Sequence, residues 1–324
     1  MGYAGVTSND MARMLVAAGW IVVVAAGVLL TSQIVGWSGN AYLVAMQALT
    51  PFVVVLASAS AVVGILDRAW ILAVCAGAAV GGHVVLAWPL LVPPRQPPAL
   101  DGATPVRVFH ANLLYLNPRP GGIPDAIAAA GADVLAFTEY TPDHASILLH
   151  HGLADVYPFR TEHAQPGAGG SAIWSRYRLS ELEPPDLHFR PCSAVIASPE
   201  PVVVMVVHPL SPMVSIDVWH SDLRALAARP TTTEHPVAVV GDFNASHWHP
   251  PFRRLLGAGW RDAHQSTRRG WSNSWPAGRR WLPPFVGIDH ALIDGGLVTT
   301  EIRDLEVPGS DHRGFLVTII AARH

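Results

Sequence analysis

Residues 236–244 read Pro-Val-Ala-Val-Val-Gly-Asp-Phe-Asn, and this stretch decides the fold. An apolar run of this length that ends in Gly predicts a buried β-strand. The chain then bends, so Asp242 and Asn244 are expected on one edge of the sheet. A carboxylate there can orient or deprotonate a water, and a carboxamide can donate a hydrogen bond to a phosphoryl oxygen. Taken alone, the tetrapeptide Gly-Asp-Phe-Asn fits an Asx turn as well as a catalytic site.

Polar motifs follow other apolar runs in the same way. Carboxylates at strand ends suit Mg²⁺, which prefers hard oxygen ligands. An Asp that accepts from an imidazole N–H fixes its tautomer and stabilises the imidazolium. The residues in question are Asn112, Glu139, His208, Asp289, Asp311 and His312. Each signal is weak alone, and their order along the chain gives them weight.

The apolar runs between these motifs predict the fold class. We expect strands at 105–112, 132–138, 171–175, 193–198, 201–207, 236–241, 288–293 and 314–320. Helices are predicted at 123–130, 142–150, 215–228 and 249–256. Many strands with few dispersed helices favour an α/β sandwich of two sheets over a doubly wound parallel sheet.

The region ahead of the strands is almost free of charge. Residues 14–66 contain no Asp, Glu, Lys or Arg. Three segments, at about 14–35, 41–66 and 69–92, each exceed the roughly 20 residues that span a bilayer as a helix. We therefore predict a membrane domain at 1–92 with three transmembrane helices. A Pro-rich linker at 93–104 and a catalytic domain at 105–324 follow.

The distribution of charge predicts the location of the catalytic domain and disfavours one class of partner. Arg13 and Arg68 lie on one side of three spans, so the N-terminus is predicted to be cytoplasmic and the catalytic domain extracytoplasmic. This makes the chain a multi-pass protein of the cell membrane. The net charge is −3, and all 21 basic residues are Arg. A strong grip on long nucleic acid usually needs a basic field, so nucleic acid is disfavoured.

Together, the motifs of residues 105–324 resemble those of the endonuclease/exonuclease/phosphatase superfamily, which has the DNase I-like fold. The resemblance implies a four-layer α/β sandwich with two packed, mainly antiparallel sheets. It also implies divalent-metal ligands (Asn112, Glu139, Asp311) and catalytic residues (Asp242, Asn244, His208, Asp289, His312). Mg²⁺ is the implied cofactor, with Mn²⁺ as the alternative. His290 is not a universal family position and is expected to support the site at most.

A narrower resemblance comes from the three-span leader and two blocks. The blocks are Thr138-Glu139-Tyr140-Thr141-Pro142 and His208-Pro209-Leu210-Ser211-Pro212. This architecture is similar to the membrane-bound group that includes the teicoplanin-resistance membrane proteins, in which the catalytic domain faces outward. An extra Asp of the DNA-repair members is missing after Asn112, where Leu113-Leu114-Tyr115 stand. That departure disfavours a general nuclease.

Two other segments allow a structural and a functional interpretation. Residues 253–280 hold seven Arg, interleaved with Trp. Most of them are expected in a solvated loop, and a few in a surface that seeks phosphate and the membrane interface. The stretch His247-Trp248-His249 suggests zinc, but a surface turn is favoured because no third ligand is evident.

Three functions from different classes follow. The leading hypothesis is a membrane-anchored, Mg²⁺-dependent phosphohydrolase that cleaves a phosphate ester or pyrophosphate of a phosphorylated polyprenyl lipid. The second is a membrane-anchored nuclease or phosphodiesterase. The third is an inactive envelope-binding module. The bilayer and a phosphorylated lipid are the expected partners, and the sequence implies no protein partner.

Overall fold

The computed structural model describes residues 8–228 and 234–323. The chain divides into two compact units. One consists of Met1–Trp88 with Trp248–Pro250, and the other of Pro89–His247 with Pro251–His324. The first holds the apolar helices and the second holds all the β-strands described.

The apolar region forms four helices. They are α1 (Ser8–Ile34), α2 (Ala41–Ala48), α3 (Thr50–Leu66) and α4 (Trp70–Leu91). Among the described residues, α1 and α4 are each long and apolar enough to cross a membrane, and α2 with α3 meets the test only as a pair bent by 67°. The count is therefore two spans, or three if the bent pair is one. The break falls beside Pro51, which lacks an N–H group and starts α3 instead of extending α2.

Small and polar side chains pack these helices together. Ala26, Ala57 and Ala79 share one buried cluster, which lets backbones approach closely. The Gln47 amide donates to the Ser32 hydroxyl at 3.1 Å. A few polar bonds of this kind stabilise helix association where the surroundings offer no water.

The Pro-rich segment lies against the second unit instead of extending freely. The side chain of Gln96 donates to the carbonyl of Thr299 at 2.9 Å and accepts from its N–H at 2.8 Å. The N–H of Leu100 donates to the carbonyl of Ala321 at 2.8 Å. These bonds fix the linker along the last two strands from Gln96 onward.

The second unit contains twelve strands and six helices among its described residues. The strands are β1 (Val106–Asn112), β2 (Val134–Thr138), β3 (Phe159–His163), β4 (Ser171–Ser175), β5 (Leu179–Glu181), β6 (Cys192–Ile196), β7 (Val202–Val207), β8 (Val237–Asp242), β9 (Arg261–Asp262), β10 (Asp289–Ile293), β11 (Leu297–Glu306) and β12 (Arg313–Ala321). The helices are α5 (Ile123–Ala130), α6 (Pro142–His150), α7 (Leu153–Val156), α8 (Ile216–Ala227), α9 (Pro250–Gly257) and α10 (Ala263–Ser266).

These strands form two mixed six-stranded sheets. The orders are β11-β12-β1-β2-β4-β3 and β5-β6-β7-β8-β10-β9. In the described chain each sheet holds one parallel pair, β1 with β2 and β7 with β8, and its other pairs are antiparallel. The predicted α/β sandwich of two sheets is therefore present.

Alternating side chains form the two cores. Val108 and Ala136 of the first sheet meet Val204 and Val240 of the second in one buried cluster. The residues between them along β1 and β2 point to the other face, where Phe109 and Leu135 pack with Ile123 and Ile127 of α5. A period of two therefore buries both faces of the first sheet.

The strands and helices predicted within residues 105–324 all lie within one or two residues of observed ones, but four strands were not predicted. These are β3, β5, β9 and β11. The longest, β11, is an edge strand rich in polar residues, with a register shift between Thr299 and Glu301. A bulge interrupts the alternation of apolar residues that identifies a strand. A strand at the edge of a sheet also tolerates polar residues.

Candidate functional site

The polar motifs of both sheets meet at one edge of the sandwich. Asn112 ends β1 and Glu139 follows β2, while His208 follows β7 and Asp242 ends β8. Because the strands of each pair are parallel neighbours, their carboxyl ends lie side by side. A hydrogen bond of 3.1 Å from Asn112 Nδ2 to Asp242 Oδ2 joins the two edges.

Asp242 is the centre of this cluster. Its Oδ2 lies 3.1 Å from Asn112 Nδ2, 3.6 Å from His208 Nε2 and 3.7 Å from His312 Nε2. The carboxylate is buried. Nδ1 of His208 faces the carbonyl of Ala168 at 3.1 Å, so that nitrogen donates and Nε2 is directed to the site.

The imidazole of His312 is held from behind by a chain of buried groups. Its Nδ1 lies 2.8 Å from Asp289 Oδ2. The other oxygen of Asp289 lies 3.2 Å from His110 Nε2, and His110 Nδ1 faces the carbonyl of Ala136 at 3.1 Å. Asp289 thus fixes the orientation of His312, and His110 fixes that of Asp289.

Burial and charge set the protonation of these groups. Burial disfavours the imidazolium of His312, but the charges of Asp289 and Asp242 outweigh it and raise the pKa to about 10. For Asp289, burial opposes ionisation, yet His312 and His110 lower its pKa well below the usual range. Burial raises the pKa of Asp242 in spite of His312 beside it. The site therefore pairs an ionised Asp289 with a cationic His312, and it makes Asp242 a stronger base than a solvated carboxylate.

Asn112 bridges two carboxylates. Its Nδ2 donates to Glu139 Oε1 at 3.0 Å as well as to Asp242, and its Oδ1 accepts from the N–H of Leu114 at 3.0 Å. These partners fix which end of the amide is which. Glu139 Oε2 accepts from the N–H of Tyr115 at 2.9 Å. Two carboxylates are thereby held close without direct contact.

Unusual backbone conformations occur at the same edge. Glu139 has φ 54° and Asn244 has φ 49°, both in the left-handed region that non-glycine residues seldom adopt. The N–H of Asn244 donates to Asp242 Oδ1 at 2.8 Å, and its Nδ2 donates to the carbonyl of Pro209 at 3.0 Å. Such strain is maintained by surrounding contacts and is concentrated at functional sites.

Asp311 lies at the more exposed side of the cluster. Its Oδ1 is 3.9 Å from His312 Nε2, and its Oδ2 accepts from Trp275 Nε1 at 3.2 Å. The hydroxyl of Ser310 donates to the carbonyl of Asn112 at 2.7 Å and accepts from the N–H of His312. All eight predicted site residues are thus linked to one another by direct or shared contacts, and their individual roles stay predictions.

The donor set suits a hard divalent cation. In the described residues each oxygen of Glu139 accepts one hydrogen bond, which leaves a further lone pair on each for an ion. Asp311 offers a partly exposed carboxylate. Asp242, Asp289 and His312 also form a group whose ligand atoms lie within 4.8 Å of one another. Oxygen-rich groups of this kind favour Mg²⁺ or Mn²⁺ over softer metals.

A second His/Asp group lies behind the second sheet. Its members are His247, Asp262 and His290, whose potential ligand atoms all lie within 4.8 Å of one another. The partners of His247 that the sequence did not reveal therefore come from distant segments of the chain. The contacts are those of an ion pair. Asp262 Oδ2 lies 2.6 Å from His290 Nδ1 and 3.4 Å from His247 Nε2. Nε2 of His290 faces the carbonyl of Ala245 at 2.9 Å, so both ring nitrogens of His290 face acceptors.

This group supports the turn that follows β8 and carries Asn244. Burial disfavours the imidazolium of His290, but the Asp262 carboxylate outweighs it and raises its pKa. Burial also opposes the ionisation of Asp262, yet His290 and His247 lower its pKa. Because Ala245 directly follows Asn244, the bond from His290 holds the turn in place. His290 therefore contacts Asp262 and the backbone of Ala245.

Sequence reasoning assigned no role to four side chains that contact the predicted site residues. They are His110, Ser274, Trp275 and Ser310. His110 could have been found, because it lies two residues before Asn112 on one strand and so shares its face. Ser274 accepts from the N–H of Asp289 at 3.1 Å. It and Trp275 come from an irregular segment whose path no periodic pattern predicts.

Several solved structures have a fold similar to that of this chain. No curated protein matches the chain in sequence. The structure of an endonuclease/exonuclease/phosphatase from Beutenbergia cavernae DSM 12333 is similar, with 17% identity, TM-score 0.54, and coverage of 67% of this chain and 72% of that one. A humanized D. rerio TDP2 gives 16% identity, TM-score 0.56, and coverage of 66% and 98%.

A third similar structure is the 3' phosphatase NExo from Neisseria bound to a product DNA hairpin. It gives 19% identity and TM-score 0.52, and the match covers 65% of this chain and 98% of that one. These likenesses establish a common fold. The profile of the Endonuclease/Exonuclease/phosphatase family matches residues 108–312, which include all the predicted site residues. The chain belongs to the Endonuclease/Exonuclease/phosphatase family, whose similar members act on phosphoester bonds.

Proposed function

We propose that this protein is a membrane-anchored, divalent-metal-dependent phosphohydrolase. Its substrate would be the phosphate ester or pyrophosphate of a phosphorylated polyprenyl lipid at the outer membrane face. The observation that carries the proposal is the buried Asp242 carboxylate within 3.7 Å of Asn112, His208 and His312, in a chain that also contains apolar helices.

The side chains supply the parts of an in-line displacement at phosphorus. Asp242, whose pKa is raised by burial, accepts a proton from the attacking water. The water oxygen forms the new P–O bond, and the bond to the leaving oxygen breaks. In a pyrophosphate the leaving group departs as a phosphate anion.

Cationic and donor groups then stabilise the charge on the phosphoryl oxygens. His312, held as an imidazolium by Asp289, donates one hydrogen bond, and Nε2 of His208 is directed to the same place. Glu139 and Asp311 would hold Mg²⁺, which would supply further neutralisation of the phosphoryl charge. Asn112 keeps Glu139 and Asp242 apart, so that each performs one task.

The short tether supports a substrate that resides in the membrane. Only residues 92–95 separate Leu91, the end of α4, from Gln96, whose side chain is fixed on the catalytic unit. A chain of five residues spans at most about 18 Å. A tether this short raises the effective concentration of headgroups at the site.

One observation favours a second candidate, a membrane-anchored nuclease or phosphodiesterase. Similar structures hold DNA, namely a D. rerio TDP2 with single-strand DNA product and NExo with a DNA hairpin. The net charge of −3 disfavours a grip on long nucleic acid in this chain.

The experiment is a substrate panel with purified full-length protein in nanodiscs and Mg²⁺. The panel is a polyprenyl pyrophosphate, a soluble phosphomonoester, a choline-type phosphodiester lipid and a DNA hairpin. We expect phosphate release from the pyrophosphate, abolished by Asp242→Asn and unchanged by Asp155→Asn on an exposed helix. DNA cleavage without phosphate release from the lipid would refute the lipid substrate. No turnover of any substrate, with binding retained, would favour the inactive envelope-binding module.

The membrane orientation is part of the proposal. With three spans the N-terminus is cytoplasmic and the catalytic domain extracytoplasmic, whereas a re-entrant α2–α3 pair would place both on one side. A cysteine introduced at Asp155 should react with a membrane-impermeant maleimide on intact cells, and one introduced at Asp10 should react only after lysis. Equal labelling of both before lysis would refute three spans.

A further inference from the structure

The exposed apolar side chains of the catalytic unit are concentrated around its site. Nine large hydrophobic residues in the described parts of 105–323 are exposed. Seven of them lie in three segments, 113–119, 209–215 and 267–287, which we call the loop rim. They are Tyr115, Leu116, Met213, Val214, Trp271, Trp281 and Leu282. The rim contains 35 of the 214 residues described in that region, so the concentration is far above an even spread.

Each rim segment is anchored to a site residue. The N–H of Tyr115 donates to Glu139 Oε2 at 2.9 Å. The carbonyl of Pro209 accepts from Asn244 Nδ2 at 3.0 Å. Trp275 Nε1 donates to Asp311 Oδ2 at 3.2 Å. The apolar tips are therefore borne by the loops that surround the mouth of the site.

The charge of the rim is opposite to that of the chain. Its segments hold five Arg and no Asp or Glu, whereas the whole chain carries −3. Arg269 is neutralised by Asp304 at 3.0 Å. Arg279 and Arg280 are exposed, and the guanidinium of Arg280 lies over the ring of Trp281 at 4.9 Å. Arg beside Trp suits the headgroup region of a bilayer, where the ring sits at the interface and the cation meets anionic lipid.

The side-chain types distinguish a lipid surface from nucleic acid. Trp281 is 85% exposed, and two aliphatic residues are exposed to a similar degree, Val214 at 74% and Leu116 at 71%. Aromatic rings and Arg serve both partners, since bases stack on rings. Exposed Val, Leu and Met offer no stacking face, and they gain free energy only by leaving water. A concentration of exposed apolar side chains on the loops around one site is typical of an interaction surface.

We propose that the loop rim docks on an anionic lipid bilayer and seats the mouth of the site against the headgroups. This inference rests on the proposed membrane location and names the surface that presents lipid substrate to Asp242. The Arg residues supply attraction to anionic headgroups, and the aliphatic tips enter the acyl boundary. A lipid phosphate then reaches the site without leaving the membrane.

The test uses an environment-sensitive label in the full-length protein. Cys192 is buried, and burial raises the pKa of its thiol to about 11, so only Cys75 needs replacement by Ala. The label is placed by Val214→Cys in the rim, or by Val156→Cys outside it as a matched exposed Val. The proteins are reconstituted in nanodiscs of phosphatidylcholine with or without phosphatidylglycerol, and quenching by 5-doxyl lipid is measured.

We expect strong quenching at position 214 in the anionic discs and none at 156. Arg279→Gln with Arg280→Gln should weaken the docking equilibrium about fivefold for each Arg, and the control pair Arg190→Gln with Arg224→Gln should not. Equal quenching at both positions, or none at 214, would overturn the proposal. If a DNA hairpin binds the rim, shields the label at position 214 and relieves its quenching, the proposal is overturned in favour of nucleic acid. Quenching is measured without any turnover of substrate. Docking without hydrolysis would therefore refute the proposed substrate but leave the proposed docking of the rim intact.

Discussion

The buried ion pair behind the turn that follows β8 offers a sharp test of how the fold holds its site. Asp262 is completely buried and faces four donors, namely the N–H groups of His264 and Gln265 and the imidazoles of His290 and His247. Asp262→Asn keeps the shape but removes the charge. Its amide nitrogen would then face the N–H groups of the imidazoles. His290 would be left as an uncompensated buried cation or would have to lose its proton.

Breaking a buried pair in this way costs about 3–5 kcal/mol of unfolding free energy. For a domain of this size, each kcal/mol lowers the melting midpoint by about 2–4 °C. Asp262→Asn should therefore lower the midpoint by roughly 6–20 °C. The measurement is thermal unfolding of the full-length protein in detergent, followed by Trp fluorescence at pH 6.

The pH dependence gives an independent signature. The pKa of His290 is raised from 6.5, so its contribution is complete below that pH and is lost as the pH rises through the higher folded value. The pKa of Asp262 is lowered from 3.8, so its contribution is complete above that pH and is lost as the pH falls through the lower folded value. The penalty of Asp262→Asn should be largest between about pH 4 and 6.5 and should shrink in alkaline buffer.

Asp304→Asn is the matched control. Asp304 also pairs with an imidazole and a guanidinium, at 3.1 and 3.0 Å, but 22% of its side chain is exposed. Solvent screens a partly exposed pair, so these pairs should contribute only about 1 kcal/mol, and the midpoint should fall by no more than about 4 °C. A change of less than 3 °C for Asp262→Asn, or one equal to that of Asp304→Asn, would refute the ion-pair assignment.

Three further outcomes are expected. His110→Gln should reduce kcat about tenfold to a hundredfold on the substrate found, because Asp289 loses its second partner and misorients the catalytic imidazole; a rate within twofold of wild type would contradict this role. Gly241→Ala should lower the unfolding free energy in urea by about 1–3 kcal/mol, because a Cβ would collide with the facing carbonyl of β7; Gly257→Ala, where the space is open, should change it by less than about 0.5 kcal/mol. Mg²⁺ at a hundred times its Kd should stabilise the wild type by about 2.7 kcal/mol, seen as a raised melting midpoint, and Glu139→Gln should lose the shift; an equal shift in both proteins would exclude Glu139 as a ligand.

The sequence predicts much of the fold of residues 105–324, because the central strands of both sheets are buried. The runs that end at Asn112, Thr138 and Asp242 are apolar and short, and turn residues bound them, so their type and extent follow from pattern alone. The helix 142–150 was predicted to the residue, since Thr141 caps it and Pro142 begins it.

What escaped prediction depends on tertiary context. The edge strand β11 alternates poorly and carries a bulge, so no pattern reveals it. The sequence does not reveal the partners of His247, because Asp262 and His290 are distant in sequence and meet it only behind the second sheet. Pro51 was expected to be tolerated within one span, whereas the helix breaks there by 67°. In the first two cases long-range contacts, which a single sequence does not encode locally, decide the outcome, whereas the third reflects the missing N–H group of Pro51.

The pairing of β1 with β12 has a consequence for biosynthesis. The first strand of the catalytic domain takes the last one as its neighbour, with Val106 opposite Ile319. A ribosome that adds about 5–20 residues per second needs roughly 10–50 seconds to make the 230 residues between the end of α4 and the end of β12. The helices emerge long before that final strand. The first sheet, and with it the site at its edge, can therefore form only after the chain has been made to the end of β12.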